Sequence, residues 1–234
     1  MSDNSNFESF LFISPKRFII LINEEPEHKV IYKKEFFINN NLDQINYEGL
    51  DDFLKLNIFD IEKRIKNFIN KFHVIIDSDD FFITQISTKK KNFKNYLSSR
   101  EIIYSLNEIR DSCKKTLEDK KIIHMIIQKF VIDDNEFLSL PKNLKCDNFS
   151  LDVKFITLSK NLVNILENIL RKYQISIDRI ISASYVKEFF TQDEHCLFES
   201  SKKLIDGCNK NEVQFIFKTR ENKGFFEKFF DFFS

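Results

Sequence analysis

Glycine, proline and tryptophan are nearly absent from this chain of 234 residues, which has three glycines, three prolines and no tryptophan. Glycine lets a backbone approach a phosphate closely, so its scarcity argues against glycine-rich phosphate loops. The net charge is zero, because 36 basic residues balance 36 acidic ones. No overall field therefore favours nucleic acid or an acidic partner.

Cysteine and histidine are also scarce and form no recognisable site. The four cysteines contain no CxxC pair, and the four histidines show no metal-ligand spacing. His195 and Cys196 are adjacent, but no orienting partner is evident for a nucleophile. The sequence also shows no signal peptide and no apolar run long enough to span a bilayer. We therefore expect a chain from a reducing cytoplasm with no catalytic or metal-ligating residues.

Strand-like and helix-like stretches alternate along the chain, which predicts a mixed α/β or α+β fold. β-branched runs predict strands at residues 17–23 and 29–38, and residues 1–9 are expected to be a mobile, polar start. One helix is expected from Asn57, as N-cap, to residue 72. A second helix should begin at a capping box formed by Ser98 and Glu101.

Phenylalanine is in excess, with 28 copies, and six of them lie in residues 224–234. On a helix these six rings fall within an arc of about 160°, opposite Glu227, Lys228 and Asp231. The segment is too short to span a bilayer but suits a helix lying in the membrane plane. Docking on the protein's own core, or in a partner's groove, would bury the same face. The predicted membrane-binding residues are Phe225, Phe226, Lys228, Phe229, Phe230, Phe232 and Phe233.

Three stretches in the middle of the chain occur in a recognisable order. They are IFDIEKRIKNFINK at residues 58–71, IIHMIIQKFVIDDNEFLSLPKNL at residues 122–144, and LDVKFITLSKNLVNILENILRKYQISIDRIISASY at residues 151–185. Together they resemble the FtsA family of actin-like bacterial cell-division proteins, in a shortened and degenerate form. In the second stretch the matching positions are His124, Phe130, Ile132, Asp133, Pro141 and Leu144.

The resemblance implies an architecture. Residues 1–72 and 151–192 would form an actin-like (ribonuclease-H-like) half-domain. Residues 73–150 would be an inserted small α+β domain of the SHS2 type, which in the family makes protein contacts. Residues 193–223 would be a degenerate segment and linker, followed by the amphipathic membrane-binding helix at residues 224–234.

ATP is the cofactor of the resembled family, but its glycine loops are absent here. The first phosphate loop should lie between the first two strands, where we place Asn23, Glu24, Pro26 and Lys29. Pro26 removes a backbone donor, and the glutamates around it would repel a phosphate. We therefore expect no bound cofactor and no enzymatic activity.

The resulting hypothesis is a non-catalytic component of the division machinery. It would lie on the cytoplasmic side of the inner membrane at the division site and would contact division proteins and lipids, with self-association left open. The alternatives are an actin-like ATPase that polymerises with ATP and an actin-like adaptor of the pilus-assembly type. Residues 88–96 alternate lysine with aromatics, which is a pattern of nucleic-acid binding, but the balanced charge favours a solvated loop and no nucleic-acid partner.

Overall fold

The computed structural model describes residues 7–26, 29–38, 43–141, 144–190 and 197–214. The strands are β1 (Phe7–Ile13), β2 (Arg17–Glu24), β3 (Lys29–Phe37), β4 (Lys71–Ile76), β5 (Phe82–Tyr96), β6 (Lys120–Ile132), β7 (Asn135–Phe137), β8 (Lys145–Ser159) and β9 (Ser176–Ser182). The helices are α1 (Tyr47–Ile65), α2 (Ser99–Thr116), α3 (Lys160–Arg171), α4 (Ala183–Phe190) and α5 (Leu197–Ile205).

The first sheet has five strands in the order β3-β2-β1-β4-β9. The pairs β1–β2 and β2–β3 are antiparallel, whereas β4 is parallel to both β1 and β9. The sheet thus has three antiparallel strands followed by two parallel ones, with helices in the connections. The mixed α/β fold class is therefore confirmed.

Both faces of the first sheet are buried. One face packs against α1 and α3 through a core that includes Leu11, Phe72 and Val74. The other face packs against α4 and α5 through residues such as Phe10 and Ile75. Because successive side chains of a strand point to opposite faces, burial on both sides requires nearly continuous apolar runs. Strands β1, β2 and β4 show such runs.

The second sheet has the order β5-β8-β6-β7, and all its pairs are antiparallel. It lies in the chain between β4 and α3, so it is inserted into the connection between two neighbouring parallel strands of the first sheet. Helix α2 covers one face through Ile102, Leu106 and Ile109. From the other face, Ile126 and Ile156 join the core on the α4 and α5 side of the first sheet.

Two local predictions are wrong. Residues 7–13 form β1 instead of continuing a mobile start, because the run from Phe10 to Ile13 is fully buried in the first sheet. Helix α1 begins at Tyr47, where the Asn46 side chain accepts the Gly49 N–H at 2.9 Å. Asn57 is not an N-cap. It is buried within the helix, and its Nδ2 donates to the Phe53 carbonyl at 2.7 Å.

Other predictions are confirmed. Strands β2 and β3 match the two β-branched runs, and the Ser98–Glu101 capping box is present in full. The boundaries of the inserted segment need correction, however. Residue 73 lies within β4, which pairs in the first sheet, and residue 150 lies within β8 of the second sheet. The inserted sheet thus begins at β5 and ends with β8.

Candidate functional site

A crevice of about 820 Å³ lies where the parallel strands of the first sheet end. Strands β1, β4 and β9 run in the same direction, so their carboxyl ends meet at one edge. Open α/β sheets bind ligands in the crevice outside such ends. The polar lining includes Ser14, Lys16, Arg17, Asp77, Ser78 and Ser184. This is the first candidate for a ligand site.

In the loop between β1 and β2, the backbone N–H groups donate to acceptors within the loop itself. The Ser14 N–H donates to the Arg17 carbonyl at 3.0 Å. The Ser14 Oγ accepts from the N–H groups of Lys16 at 3.3 Å and Arg17 at 3.0 Å. Pro15 has no N–H to offer. A phosphate loop needs several N–H groups that point at the ligand, and none is left over in this turn.

Two of the charged groups of the crevice, Arg17 and Asp77, already have partners. The Arg17 guanidinium lies 3.2 Å from the Glu35 carboxylate and 5.5 Å from the centre of the Phe12 ring. Asp77 pairs with Lys187 at 3.0 Å. Three aspartates, at positions 43, 77 and 79, line the same space. Their negative charge opposes the binding of a polyphosphate.

The residues predicted as a degenerate phosphate loop lie elsewhere. Asn23 and Glu24 are the last residues of β2, Pro26 follows in the turn, and Lys29 begins β3. Glu24 pairs with Phe7, at the amino end of β1, so this turn lies at the sheet edge opposite the crevice. The turn that lines the crevice is Ser14–Lys16, between β1 and β2. The degenerate phosphate loop at Asn23, Glu24, Pro26 and Lys29 stays a prediction.

A polar cluster lies at that opposite edge, around Glu8. Its carboxylate lies 3.3 Å from His73 Nε2 and 3.0 Å from Lys202 Nζ. Burial opposes ionisation of Glu8, but its hydrogen bonds with His73 and Lys202 outweigh this and lower its pKa. Lys202 also binds Asp206 at 2.9 Å. The cluster ties α5 to the first sheet.

A second buried network joins the two sheets. The backbone N–H of Ser182, in β9, donates to His124 Nε2 at 3.1 Å. His124 Nδ1 must therefore hold the proton that it donates to Glu212 Oε1 at 2.8 Å. Arg179 donates to the same oxygen at 2.6 Å, and the Tyr185 hydroxyl donates to Oε2 at 3.3 Å. Each polar group of this network has a partner.

The pKa values in this network favour a neutral histidine beside an ionised glutamate. Burial lowers the pKa of His124 and outweighs the opposing effect of Glu212. Burial by itself would raise the pKa of Glu212, but the His124 hydrogen bond and the Arg179 charge outweigh burial, so the pKa is lowered. A cavity of about 310 Å³ lies beside Arg179 and Glu212, but the side chains of His124 and Glu212 bond to each other and are almost fully buried. The network is therefore a structural link between β6, β9 and the segment that follows α5.

Other predicted residues can be placed only in part. His195, Cys196 and all the predicted membrane-binding residues lie outside the described residues. Among the helices within residues 7–214 that the structure describes, none is long and apolar enough to cross a membrane. In that same part of the chain, no three His, Cys, Asp or Glu side chains are grouped to hold a metal ion.

Comparison with known proteins finds no matching family model and no matching curated protein. Several solved structures are similar. The cytoplasmic domain of EpsL, an inner membrane component of the type II secretion system of Vibrio cholerae, is 12% identical, with a TM-score of 0.38. The match covers 76% of this chain and 59% of that chain.

Two further solved structures are similar, again at low sequence identity and over part of their length. The PilM–PilN type IV pilus biogenesis complex is 8% identical over 78% of this chain and 49% of that one, with a TM-score of 0.43. A protein of unknown function with an actin-like ATPase fold from Bacteroides thetaiotaomicron is 13% identical, with a TM-score of 0.32. That match covers 81% of this chain and 58% of the other. The chain thus spans about half to three fifths of the length of these structures. The two with a stated role belong to type II secretion and to type IV pilus biogenesis, not to cell division.

Proposed function

We propose that this chain is a non-catalytic adaptor of bacterial cell division, built on an actin-like half-domain. The observation that supports an adaptor over an ATPase is the turn between β1 and β2. It contains no glycine, and each of its backbone N–H groups has a partner within the turn. The assignment to cell division rests on the ordered resemblance to the FtsA family over residues 58–185.

Calorimetry with Mg-ATP tests the absence of nucleotide binding. We expect no saturable heat, because phosphate binding would have to break the Ser14 hydrogen bonds and approach three aspartates. Ser14→Gly with Pro15→Gly serves as a comparison, since it restores backbone freedom to the same loop. Micromolar binding of Mg-ATP by the parent chain would contradict the adaptor proposal and favour the polymerising ATPase.

Membrane attachment through the C-terminal phenylalanines belongs to the same proposal. Burying a phenylalanine fully gains roughly 1.5–3 kcal/mol, so the apolar face can outweigh the cost of ordering a short helix. Flotation with anionic liposomes should show the parent chain in the lipid fraction and Phe226→Glu with Phe229→Glu in the soluble one. Glu227→Gln with Asp231→Asn changes the opposite face and should still float. Equal flotation of the Phe variant and the parent would exclude the tether.

The site of action separates the division hypothesis from the pilus-assembly alternative. A fluorescent fusion expressed in its bacterial source should gather at midcell before constriction and spread along the membrane when the division ring is depolymerised. Both behaviours follow from a peripheral division component. Enrichment at the poles, unaffected by loss of the ring, would instead favour the pilus-type adaptor.

A further inference from the structure

Strand β5 has a long edge that meets no other described strand. It pairs with β8 along one side and is the outermost strand of the second sheet. Its fifteen residues are exposed or half-buried except for Asn92. The backbone groups along a sheet edge can pair with an extended segment of another chain. This edge is therefore available to an extended segment of a partner.

A groove of about 440 Å³ runs beside this edge, between β5 and the first half of α2. Phe149 of β8 forms part of its lining and is itself buried. Ile103 and Tyr104 of α2 line it from above and are 58% and 63% exposed. Two large apolar side chains are thus exposed next to an unpaired strand. Grooves between an edge strand and a helix accept extended peptides in several recognition domains.

A bulge at the end of this edge turns another aromatic side chain outward. Phe93 and Lys94 have positive φ angles of 51° and 60°, which are uncommon for residues other than glycine. The Asn92 side chain holds the bulge by donating to the Asn95 carbonyl at 2.7 Å and to Cys146 Sγ at 3.3 Å. Phe93 is 75% exposed as a result. Strain that displays a large apolar side chain favours an interface role.

The charge of this surface indicates the partner's chemistry. We define the basic edge as Lys89, Lys91, Lys94 and Arg100, which are all exposed. Within the described residues none of the four has an ion pair. Nearby, Lys90 pairs with Glu108, and Glu101 is held by the Ser98 cap. The chain as a whole has no net charge, so this basic edge is a local concentration of positive charge.

We propose that an extended, acidic segment of a partner protein adds as a further strand to β5. Its backbone pairs with the free side of β5, its carboxylates face the basic edge, and an apolar side chain enters the groove against Ile103 and Tyr104. The proposal builds on the adaptor function and names the partner's chemistry. An unpaired backbone edge beside an apolar groove suits a peptide strand better than a nucleic acid, which would need rings arranged for stacking.

Edge lysines also protect sheets against pairing with copies of themselves. That role explains Lys89 and Lys91 but not the exposed Phe93, Ile103 and Tyr104. A partner of opposite charge removes the repulsion and uses the apolar groove. Both roles are compatible, because a basic edge rejects its own copy while it attracts an acidic strand.

Fluorescence anisotropy with a labelled peptide of roughly ten residues that alternates Glu with Val tests the proposal. We expect saturable binding that Lys89→Glu with Lys91→Glu weakens by at least about tenfold. Lys33→Glu with Lys34→Glu is the matched control, because it reverses two exposed lysines on β3, an edge strand of the first sheet. That control should bind as the parent does. Absence of peptide binding, or equal weakening by both pairs, would overturn the proposal.

Three further arms distinguish strand addition from general attraction of charge. Tyr104→Ala leaves the basic edge intact and should still weaken binding. The same peptide methylated on alternate backbone nitrogens keeps its charge but loses its donors, so it should no longer bind. Single-stranded oligothymidylate should bind more weakly than the peptide. Tighter binding of the oligonucleotide, or full binding of the methylated peptide, would contradict strand addition.

The outcome is independent of the nucleotide experiment. If the peptide does not bind and Mg-ATP also gives no heat, the adaptor proposal stands and the β5 site is rejected. If Mg-ATP binds while the peptide behaves as expected, the site stands and the adaptor proposal is rejected.

Discussion

The two sheets of this protein differ in how their strands are buried. In the first sheet, β1, β2 and β4 have unbroken buried runs, because helices cover both faces. In the second sheet, β5 has only Asn92 buried. The inner strands of the first sheet are therefore core elements, whereas the second sheet, although its strand β8 is buried from residue 153 to 158, leaves the edge strand β5 and a groove open to solvent. In this fold the crevice of the first sheet is the expected ligand site, yet here its loop is closed by its own hydrogen bonds.

The largest expected effect comes from the core of the first sheet. Phe72 is fully buried between β4 and the helices, so Phe72→Ala should lower the free energy of unfolding by about 3–5 kcal/mol. Phe93→Ala, on the exposed bulge of the second sheet, should change it by no more than about 0.5 kcal/mol. Urea denaturation followed by circular dichroism measures both. Similar losses for the two variants would remove the contrast between the sheets.

The network between the sheets should give the next largest effect. The Glu212 side chain is 3% exposed and accepts from His124 and Arg179, so Glu212→Ala leaves buried donors without a partner. We expect a loss of about 3 kcal/mol in the free energy of unfolding. Glu136→Ala removes an exposed ion pair with Lys129 and should cost less than about 1 kcal/mol. Equal costs in urea denaturation would mean that Glu212 does not link the sheets.

The same network predicts a pH dependence. Burial lowers the pKa of His124, so the folded protein keeps this histidine neutral below the ordinary value of 6.5. The unfolded chain takes up that proton, so the free energy of unfolding falls as the pH drops through about 6.5. Glu212 has a lowered pKa as well, so its contribution is lost only below its ordinary value of 4.5. Between about pH 7 and pH 5 the slope thus reports His124.

Stability measured at several pH values in that window checks the sign. His124→Gln should lower stability at neutral pH but flatten the dependence between pH 7 and pH 5. A variant with the parent's slope would show that another group is responsible.

The smallest effect concerns the start of α2, which covers the second sheet. The Ser98 side chain accepts the Glu101 N–H at 3.3 Å and completes the capping box. Ser98→Ala should cost about 1 kcal/mol, and Ser99→Ala, at the neighbouring exposed position, should cost less than about 0.5 kcal/mol. Thermal unfolding compares the two. If Ser98→Ala costs no more than Ser99→Ala, the capping box does not contribute measurably to the stability of the protein.

Local patterns predicted those elements whose signals lie within a few residues. The capping box at Ser98 depends only on the four residues that form it. The run of β-branched residues in β2 likewise indicates a buried strand without reference to the rest of the chain. The start of α1 was missed because Asn57 resembles a cap, and only the packing of Phe53 and Leu54 shows that the helix continues through it. The strand β1 was not predicted because Glu8 and Ser9 near its start are polar, although the strand is buried from Ser9 to Ile13.

The candidate site was predicted less well than the fold. The scarcity of glycine argues against a glycine-rich phosphate loop, and the turn between β1 and β2 contains no glycine. Asn23, Glu24, Pro26 and Lys29 lie at the turn between β2 and β3, whereas the turn at the crevice joins β1 to β2, and only the structure shows that β1 precedes the two predicted strands. Nothing in the local sequence marks the groove between β5 and α2, because its two walls come from separate elements that meet only after folding.

By itself, the sequence determined the mixed fold class, the capping of α2, and the absence of glycine where a phosphate loop would need it. These properties depend on residue type and short-range periodicity. The tertiary structure decided which turn lies at the carboxyl edge, that Ser14 takes up the donors of that turn, and that His124 meets Glu212 across 88 positions of the chain. It also decided that β5 is an edge strand. Contacts between distant segments depend on how whole elements pack, and no local pattern specifies that packing.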